Sequence, residues 1–270
     1  MARKTCIIAE VGENHIGDWD RAREMIVAVA GAGADIVKFQ SYRGDEVAAN
    51  DPEKDWFTEV QLSDELHFEL KELAEQSGIE FLSAPFSLSR AKFLVEELGL
   101  TKIKVASSEM MNFALLDYLN GRVNTVFLST GLANLSEVRE AVTHLEEVNE
   151  LCVLQCTTQY PCSPELANLG VISTLKHAFP EHSIGFSDHT IGILAPLVAV
   201  SCGASVIEKH FTLNKSLPGT DHVLSVTPEE LSQMVEQIRE VELLLGDSEK
   251  TPTDGEIEIR EFVRSRFPKA

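Results

Sequence analysis

The sequence predicts an α/β fold closed as a (β/α)₈ TIM barrel, on three observations. Eight short apolar or β-branched runs recur along the chain, and segments of helical periodicity separate them. The length of 270 residues is close to the roughly 250 typical of such a barrel. An open doubly wound sheet would carry a glycine-rich dinucleotide loop after its first strand. Here Gly12 and Gly17 bracket Glu13–Ile16 at the wrong spacing, so neither that sheet nor a nicotinamide or flavin cofactor is expected.

In chain order, strands are expected at Cys6–Val11, Asp35–Gln40, Ile79–Ser83, Lys102–Ala106, Thr125–Ser129, Cys152–Cys156, Ser183–Ser187 and Ser205–His210. Parallel strands need crossover connections, which the intervening helices supply. Leu66, Leu70 and Leu73 line one helical face after a Ser63 cap, and Val138, Val142 and Leu145 another after Asn134. The last helix has the fullest signature. Thr227 caps it, Pro228 takes its first position, Glu230 completes a capping box, and Leu231, Met234, Ile238 and Leu243 form an apolar stripe. One catalytic domain over residues 1–246 is expected, with 247–270 as a polar C-terminal tail or linker.

Hydrophobic residues make up 44% and charged residues 24%, enough apolar content for a sizeable core. The net charge of −20 and a pI near 4.7 exclude a nucleic-acid or anionic-membrane surface, which would be bound through Lys and Arg. Small molecules are the expected partners, with any cations gathered in a pocket. The five cysteines, Cys6, Cys152, Cys156, Cys162 and Cys202, have no framework spacing and read as reduced, buried thiols. No signal peptide or run of about 18 apolar residues is present, so a cytoplasmic location is expected.

In a barrel the carboxyl ends of the strands form the active face. Here they carry Glu10, Lys38, Gln40, Ser83, Lys104 with Ser107 and Glu109, Ser129 with Thr130, Thr158 with Tyr160, Ser187 with Asp188 and His189, and Glu208 with His210. Singly, each has a bland reading as a snorkelling lysine, a helix cap or a hydrogen-bonded core histidine. Their joint placement on one rim favours function. His189 and His210 end the last two strands, neighbours in a closed barrel, so both imidazoles can reach one divalent first-row ion with positions left open for Lewis-acid chemistry. Lys38 and Lys104 place two cations among apolar strand residues of an acidic protein. A phosphate or carboxylate ligand is the expected counter-charge, in preference to internal pairing of both lysines with Glu10, Glu109 or Glu208. Glu208 stands two residues before His210, on the same face of the strand, as an acid/base candidate.

The runs IIAEVGENHIGD, ADIVKFQS, FLSAPF, IKVASSE, FLSTGLA, LQCTTQYP, IGFSDHTIG and ASVIEKHFTLNKSLPGTDH, in this order from Ile7, resemble the sialic acid synthase family, with its legionaminic and pseudaminic acid members. The resemblance implies condensation of phosphoenolpyruvate with an N-acylmannosamine-like aldose to a nine-carbon 2-keto-3-deoxy sugar acid, with release of phosphate. It implies a divalent metal, Mn²⁺ first with Mg²⁺ or Co²⁺ as alternatives, on His189 and His210. Lys38, Lys104, Ser107, Ser129 and Ser187 are implied as the phosphoenolpyruvate pocket, with Tyr160 contributing, and the strand-end residues Gln40, Ser83, Glu109, Thr130 and Thr158 are expected to complete the substrate site. Glu10 is implied as the carboxylate near the metal and the reacting sugar, and Asp221 as the acid that binds sugar hydroxyls; Glu10, with Glu208 and Lys104 from the strand-end reading, makes up the expected catalytic set.

Two positions depart from the family pattern, Ala84 where many members have Thr and Gln155 where many have His. Many members also continue into an antifreeze-like domain that donates an Arg to the sugar's N-acyl group across a homodimer. The expectation here is the catalytic barrel without it, assembled as a homo-oligomer, with weak discrimination for the acyl group. Two other readings are the related condensations with a phosphorylated or non-acylated sugar, whose basic phosphate clamps are not evident, and a silent barrel serving as a binding subunit, which the paired histidines and lysines oppose.

Overall fold

Every expected strand run is a strand, with ends within two residues of the expected ones. The computed structural model describes residues 4–267. Its elements are β1 (Cys6–Gly12), α1 (Trp19–Gly31), β2 (Ile36–Ser41), α2 (Lys54–Val60), α3 (Asp64–Gln76), β3 (Glu80–Pro85), α4 (Leu88–Lys92), β4 (Lys102–Val105), α5 (Phe113–Leu119), β5 (Thr125–Ser129), α6 (Leu135–Thr143), β6 (Glu150–Cys156), α7 (Pro164–Ala167), α8 (Val171–Ala178), β7 (Ser183–Asp188), α9 (Leu194–Ser201), β8 (Val206–His210), α10 (Pro228–Leu245) and α11 (Asp254–Ser265).

All paired strands are parallel, in the order β3-β2-β1-β8-β7-β6-β5-β4. The first strand pairs with the last, Glu10 opposite His210, and the seam of the nearly closed barrel falls between β3 and β4. Side chains alternate across each strand with period two. The inward set includes Ile8, Ile36, Leu82, Phe127, Cys152, Leu154 and Val206, which pack together as the barrel's own small core. The alternate set, among them Ile7, Ala9, Val37, Phe39, Ile103, Leu128, Val153, Phe186 and Ile207, packs outward against the helices as the larger core. Above the inner plug the inward positions turn polar, and the site stands there.

Helix starts follow the expected local chemistry. Ser63 accepts the Leu66 N–H, while Asn134 and Thr227 each close a capping box, with Glu137 and Glu230. Leu231, Met234 and Ile238 are buried, but Leu243 is exposed and does not belong to the stripe. Five residues beyond Ile238 advance a helix by about 500°, roughly 140° off the buried face. Within the expected tail, α11 is a helix with its own Thr253–Glu256 capping box and no buried residue. Cys152, Cys156 and Cys162 are buried, Cys6 is half-buried and Cys202 is exposed, against the expectation of buried thiols throughout. Among the described residues no helix is long and apolar enough to cross a membrane.

Candidate active site

The carboxyl ends of the strands open into a cleft of about 940 Å³, within the range of small-molecule sites. A smaller cavity of about 310 Å³ lies at the opposite end of the barrel. Its charged groups are largely spent on each other, as Lys4–Asp35 and Lys102–Glu80. The chemistry gathers in the larger cleft.

On its floor, Lys38 Nζ lies 2.7 Å from Glu208 Oε2 and 3.3 Å from Glu10 Oε2, and Lys104 Nζ lies 3.4 Å from Glu208 Oε1. Ser187 Oγ donates to Glu208 Oε1 at 2.8 Å, and Gln40 Nε2 to Glu10 Oε1 at 3.2 Å. Both lysines therefore pair internally, contrary to expectation, through Glu10 and Glu208 and not Glu109. Strand register is the reason: Glu10 is opposite Lys38 in the β1–β2 ladder, and period two turns Glu208 to the same interior. The balance of charge is nevertheless uneven. Burial raises the Glu10 carboxyl to about 7 against the pull of Lys38. Burial works the same way on Glu208, but Lys104 and Lys38 outweigh it and hold that carboxyl well below the usual range. Two lysines thus face one firmly ionised carboxylate; Glu10 and Glu208 raise Lys38 above its ordinary range while burial lowers Lys104, so an anionic ligand on this floor would favour the charged form of both.

His189 and His210 face each other at 5.3 Å between ring centroids, with the Tyr160 ring 4.0 Å from the first and edge-on to the second. His189 Nδ1 sits 2.8 Å from the Thr157 carbonyl oxygen. A carbonyl only accepts, so this nitrogen carries a proton, and in the neutral ring Nε2 keeps its lone pair. His210 Nδ1 is 3.2 Å from Asp221 Oδ2 without the alignment of a hydrogen bond. Burial lowers its imidazole to about 4, against the opposing pull of Asp221, which leaves it neutral at pH 7. A neutral imidazole backed by a carboxylate suits a divalent ion. Among the described residues no group of three or more His, Cys, Asp or Glu is placed to hold a metal, so an ion here would take two protein nitrogens and fill its other positions from elsewhere.

The sequence profile of the NeuB family matches residues 25–250. The chain belongs to the NeuB family. It is similar to the N,N'-diacetyllegionaminic acid synthase of Legionella pneumophila, with 40% identity over 96% of this chain and 79% of that protein. Similarity to the pseudaminic acid synthase of Helicobacter pylori is 35% identity over 99% and 83%. A crystal structure of N-acetylneuraminic acid (sialic acid) synthetase from Leptospira borgpetersenii superposes with a TM-score of 0.91 and 34% identity, covering 97% of this chain and 92% of that one. Such synthases are transferase-type enzymes, and this NeuB-family chain is an enzyme.

The barrel brings Glu10, Lys38, Gln40, Lys104, Ser107, Ser129, Thr158, Tyr160, Ser187, His189, Glu208, His210 and Asp221 to the one cleft. Four expected rim residues stand elsewhere, among them Asp188, whose side chain turns out of the barrel to pair with Lys209. Ser83 lies between inward Leu82 and Ala84, so its buried hydroxyl faces the helical layer. Glu109 accepts from Asn112 Nδ2 at 2.9 Å in the turn after β4, and Thr130 donates to the Leu154 carbonyl at 2.8 Å. Gln155 also points away, donating to the Ala167 carbonyl. Gly131 is required by close approach, since a Cβ there would meet Thr158 Oγ1 at 2.1 Å and Ser107 Oγ at 2.7 Å. The cleft also holds groups that the sequence did not single out. Trp56 Nε1, on α2, donates at 2.6 Å to Glu13, whose carboxyl burial raises to about 7, and Phe57, Phe86 and Cys156 complete the walls. Glu13 follows the first strand, where the rim argument applies to it too, but nothing local marks Trp56.

Proposed function

We propose that this NeuB-family enzyme condenses phosphoenolpyruvate with an N-acylmannosamine-like aldose, giving a 2-keto-3-deoxy nonulosonic acid and phosphate. The observation that carries the reading is the floor of two lysines, Lys38 and Lys104, which lies in one cleft with two facing imidazoles, His189 with its Nδ1 on a carbonyl oxygen and His210 with its Nδ1 3.2 Å from the Asp221 carboxylate. The lysines, with the hydroxyls of Ser107, Ser129 and Ser187, bind the phosphate and carboxylate of phosphoenolpyruvate by charge-assisted hydrogen bonds. Among the described residues Ser129 Oγ and Thr158 Oγ1 are buried without a hydrogen-bond partner, and both line the cleft, which makes them available to a ligand. A divalent ion on His189 and His210, Mn²⁺ before Mg²⁺ or Co²⁺, would polarise the aldehyde when bound.

The carbon–carbon bond forms between the enol methylene and the aldehyde carbon. The aldehyde oxygen then needs a proton, and Glu10, held near half-protonation at neutral pH by its burial, can supply it. Water adds to the former enol carbon, and phosphate departs with the C–O bond. Glu208, kept ionised by both lysines, orients them through this sequence. Asp221 stands at the cleft wall beside His210, in position to accept from sugar hydroxyls.

Phosphate release measured with phosphoenolpyruvate, Mn²⁺ and a panel of N-acetylmannosamine, its 6-phosphate, mannose, diacetamido-sugars and pentose phosphates tests the reading. Release that depends on a hexose acceptor, with mannose used within roughly tenfold of N-acetylmannosamine, is the expected result. Release with the pentose phosphates alone, or with no aldose at all, would refute it.

A further inference from the structure

Each histidine of the candidate metal site follows a residue that points the opposite way. Asp188 precedes His189 on β7, Lys209 precedes His210 on β8, and the period of two that turns the imidazoles into the cleft turns these two side chains out of it. They are register partners in the β7–β8 ladder and both are fully buried, with Lys209 Nζ 2.7 Å from Asp188 Oδ2. The other carboxylate oxygen accepts the Thr190 backbone N–H at 2.8 Å, and Lys209 also donates to the Thr190 carbonyl oxygen. The residues immediately before and after His189 are thus bound into one knot, and the knot is anchored to the residue immediately before His210. Neither Asp188, Lys209 nor Thr190 lines the cleft.

A buried ion pair contributes little that packed apolar side chains would not, so stability alone gives no reason for charges at this place. Geometry gives one. Two strands joined only by their ladder allow the turn after β7 to pivot, whereas a carboxylate held at both oxygens and an ammonium reaching across from β8 leave it one position. We propose that Asp188 and Lys209 are positioning residues that set the separation and orientation of His189 and His210 for a divalent cation. The inference rests on the metal reading of those histidines. It acts through the backbone, because neither side chain touches the cleft.

The test uses the double variant Asp188→Asn/Lys209→Met. The Asn oxygen still accepts the Thr190 N–H, and no unpaired charge stays buried, so the variant is expected to fold with a melting temperature near that of wild type in chelator. Mn²⁺ alone is titrated by calorimetry, and the visible absorption of the Co²⁺-loaded protein is recorded as a report on ligand geometry. The expected result is Mn²⁺ binding weaker by roughly ten- to a hundredfold, the range for groups that orient metal ligands, with a changed Co²⁺ spectrum. Binding weakened less than tenfold with an unchanged spectrum overturns the proposal and leaves the pair a packing feature. If the double variant does not fold, Lys209→Arg, which keeps the charge but alters the reach to Asp188 and Thr190, is judged by the same two readouts. His189→Ala and His210→Ala are titrated alongside. Wild-type Mn²⁺ affinity in both would overturn the metal reading and this inference with it, whereas lost affinity there and retained affinity in the double variant overturns this inference alone.

Discussion

Lys38 and Lys104 look equivalent in sequence, and replacing them one at a time separates them. Lys38 touches two carboxylates, at 2.7 and 3.3 Å, while Lys104 touches one, at 3.4 Å, which it shares with Lys38. At an effective dielectric of about 20 the contacts with Glu208 correspond to gross attractions of about 6 kcal/mol for Lys38 and about 5 for Lys104, and the contact of Lys38 with half-protonated Glu10 to about 2–3 more. Each buried ion gives back several kcal/mol in lost hydration. Lys38 keeps a surplus and Lys104 roughly none, in line with their titration: despite burial, Glu10 and Glu208 raise Lys38 above its ordinary range, whereas burial prevails at Lys104 and lowers it. Lys38→Met is therefore expected to destabilise by about 3–5 kcal/mol, since it leaves Glu10 with no cation in contact and Glu208 with the more distant one. Lys104→Met, close to Lys in volume, should change stability by less than about 1 kcal/mol. Both should weaken phosphoenolpyruvate binding by about 1.5–3 kcal/mol, roughly ten- to a hundredfold. Urea midpoints at equal slopes measure the first pair of numbers, and calorimetric titration the second. Equal midpoints for the two variants, or a larger loss in Lys104→Met, would refute the charge accounting, and unchanged phosphoenolpyruvate affinity would remove that lysine from the pocket.

His189→Ala and His210→Ala should each abolish turnover and Mn²⁺ affinity while leaving the far-ultraviolet circular dichroism intact; lost turnover with unchanged affinity contradicts the ligand assignment. Gly131→Ala forces a methyl group onto Thr158 Oγ1 and Ser107 Oγ, so a loss of about 1–3 kcal/mol is expected together with a fall in kcat/KM. A wild-type urea midpoint would show that the loop yields. The Glu13 carboxyl is raised by burial to about 7, from about 4.5 in the unfolded chain. The folded state therefore binds the extra proton, and stability falls as pH rises from 4.5 through 7. Glu13→Gln keeps an acceptor for Trp56 and should stabilise by about 1–3 kcal/mol at pH 8 and by almost nothing at pH 4. The same gain at both pH values would refute the assignment of that titration.

Strand positions and helix starts were legible because each depends on neighbours in sequence. Period two, Ser63, the Asn134–Glu137 and Thr227–Glu230 boxes and Pro228 are local signals with local causes. The Thr253–Glu256 box is of the same kind, so α11 was legible as well, hidden by the polar composition around it. Leu243 shows the limit of a stripe counted by spacing alone, since a residue belongs to a face only if its angle agrees with the others. Ser83 shows that a polar residue near the end of a strand needs its parity checked against Leu82 to be assigned to the rim.

By itself the sequence determined which residues share the barrel's interior, because alternation along a parallel strand is a property of the backbone and survives any closure. Alternation alone puts Glu10, Lys38, Lys104, Ser187, Glu208 and His210 on one side. Only the tertiary structure decided what they do to one another. Ring closure sets Glu10 beside Lys38 and both beside Glu208, and the energy of such a group depends on distances of a few ångströms and on the loss of water, neither of which is encoded at any single position. The same holds for Trp56 over Glu13 and for Lys209 against Asp188. Their partners are distant in sequence, and burial, which makes each pairing matter, is created by the packing of the whole barrel.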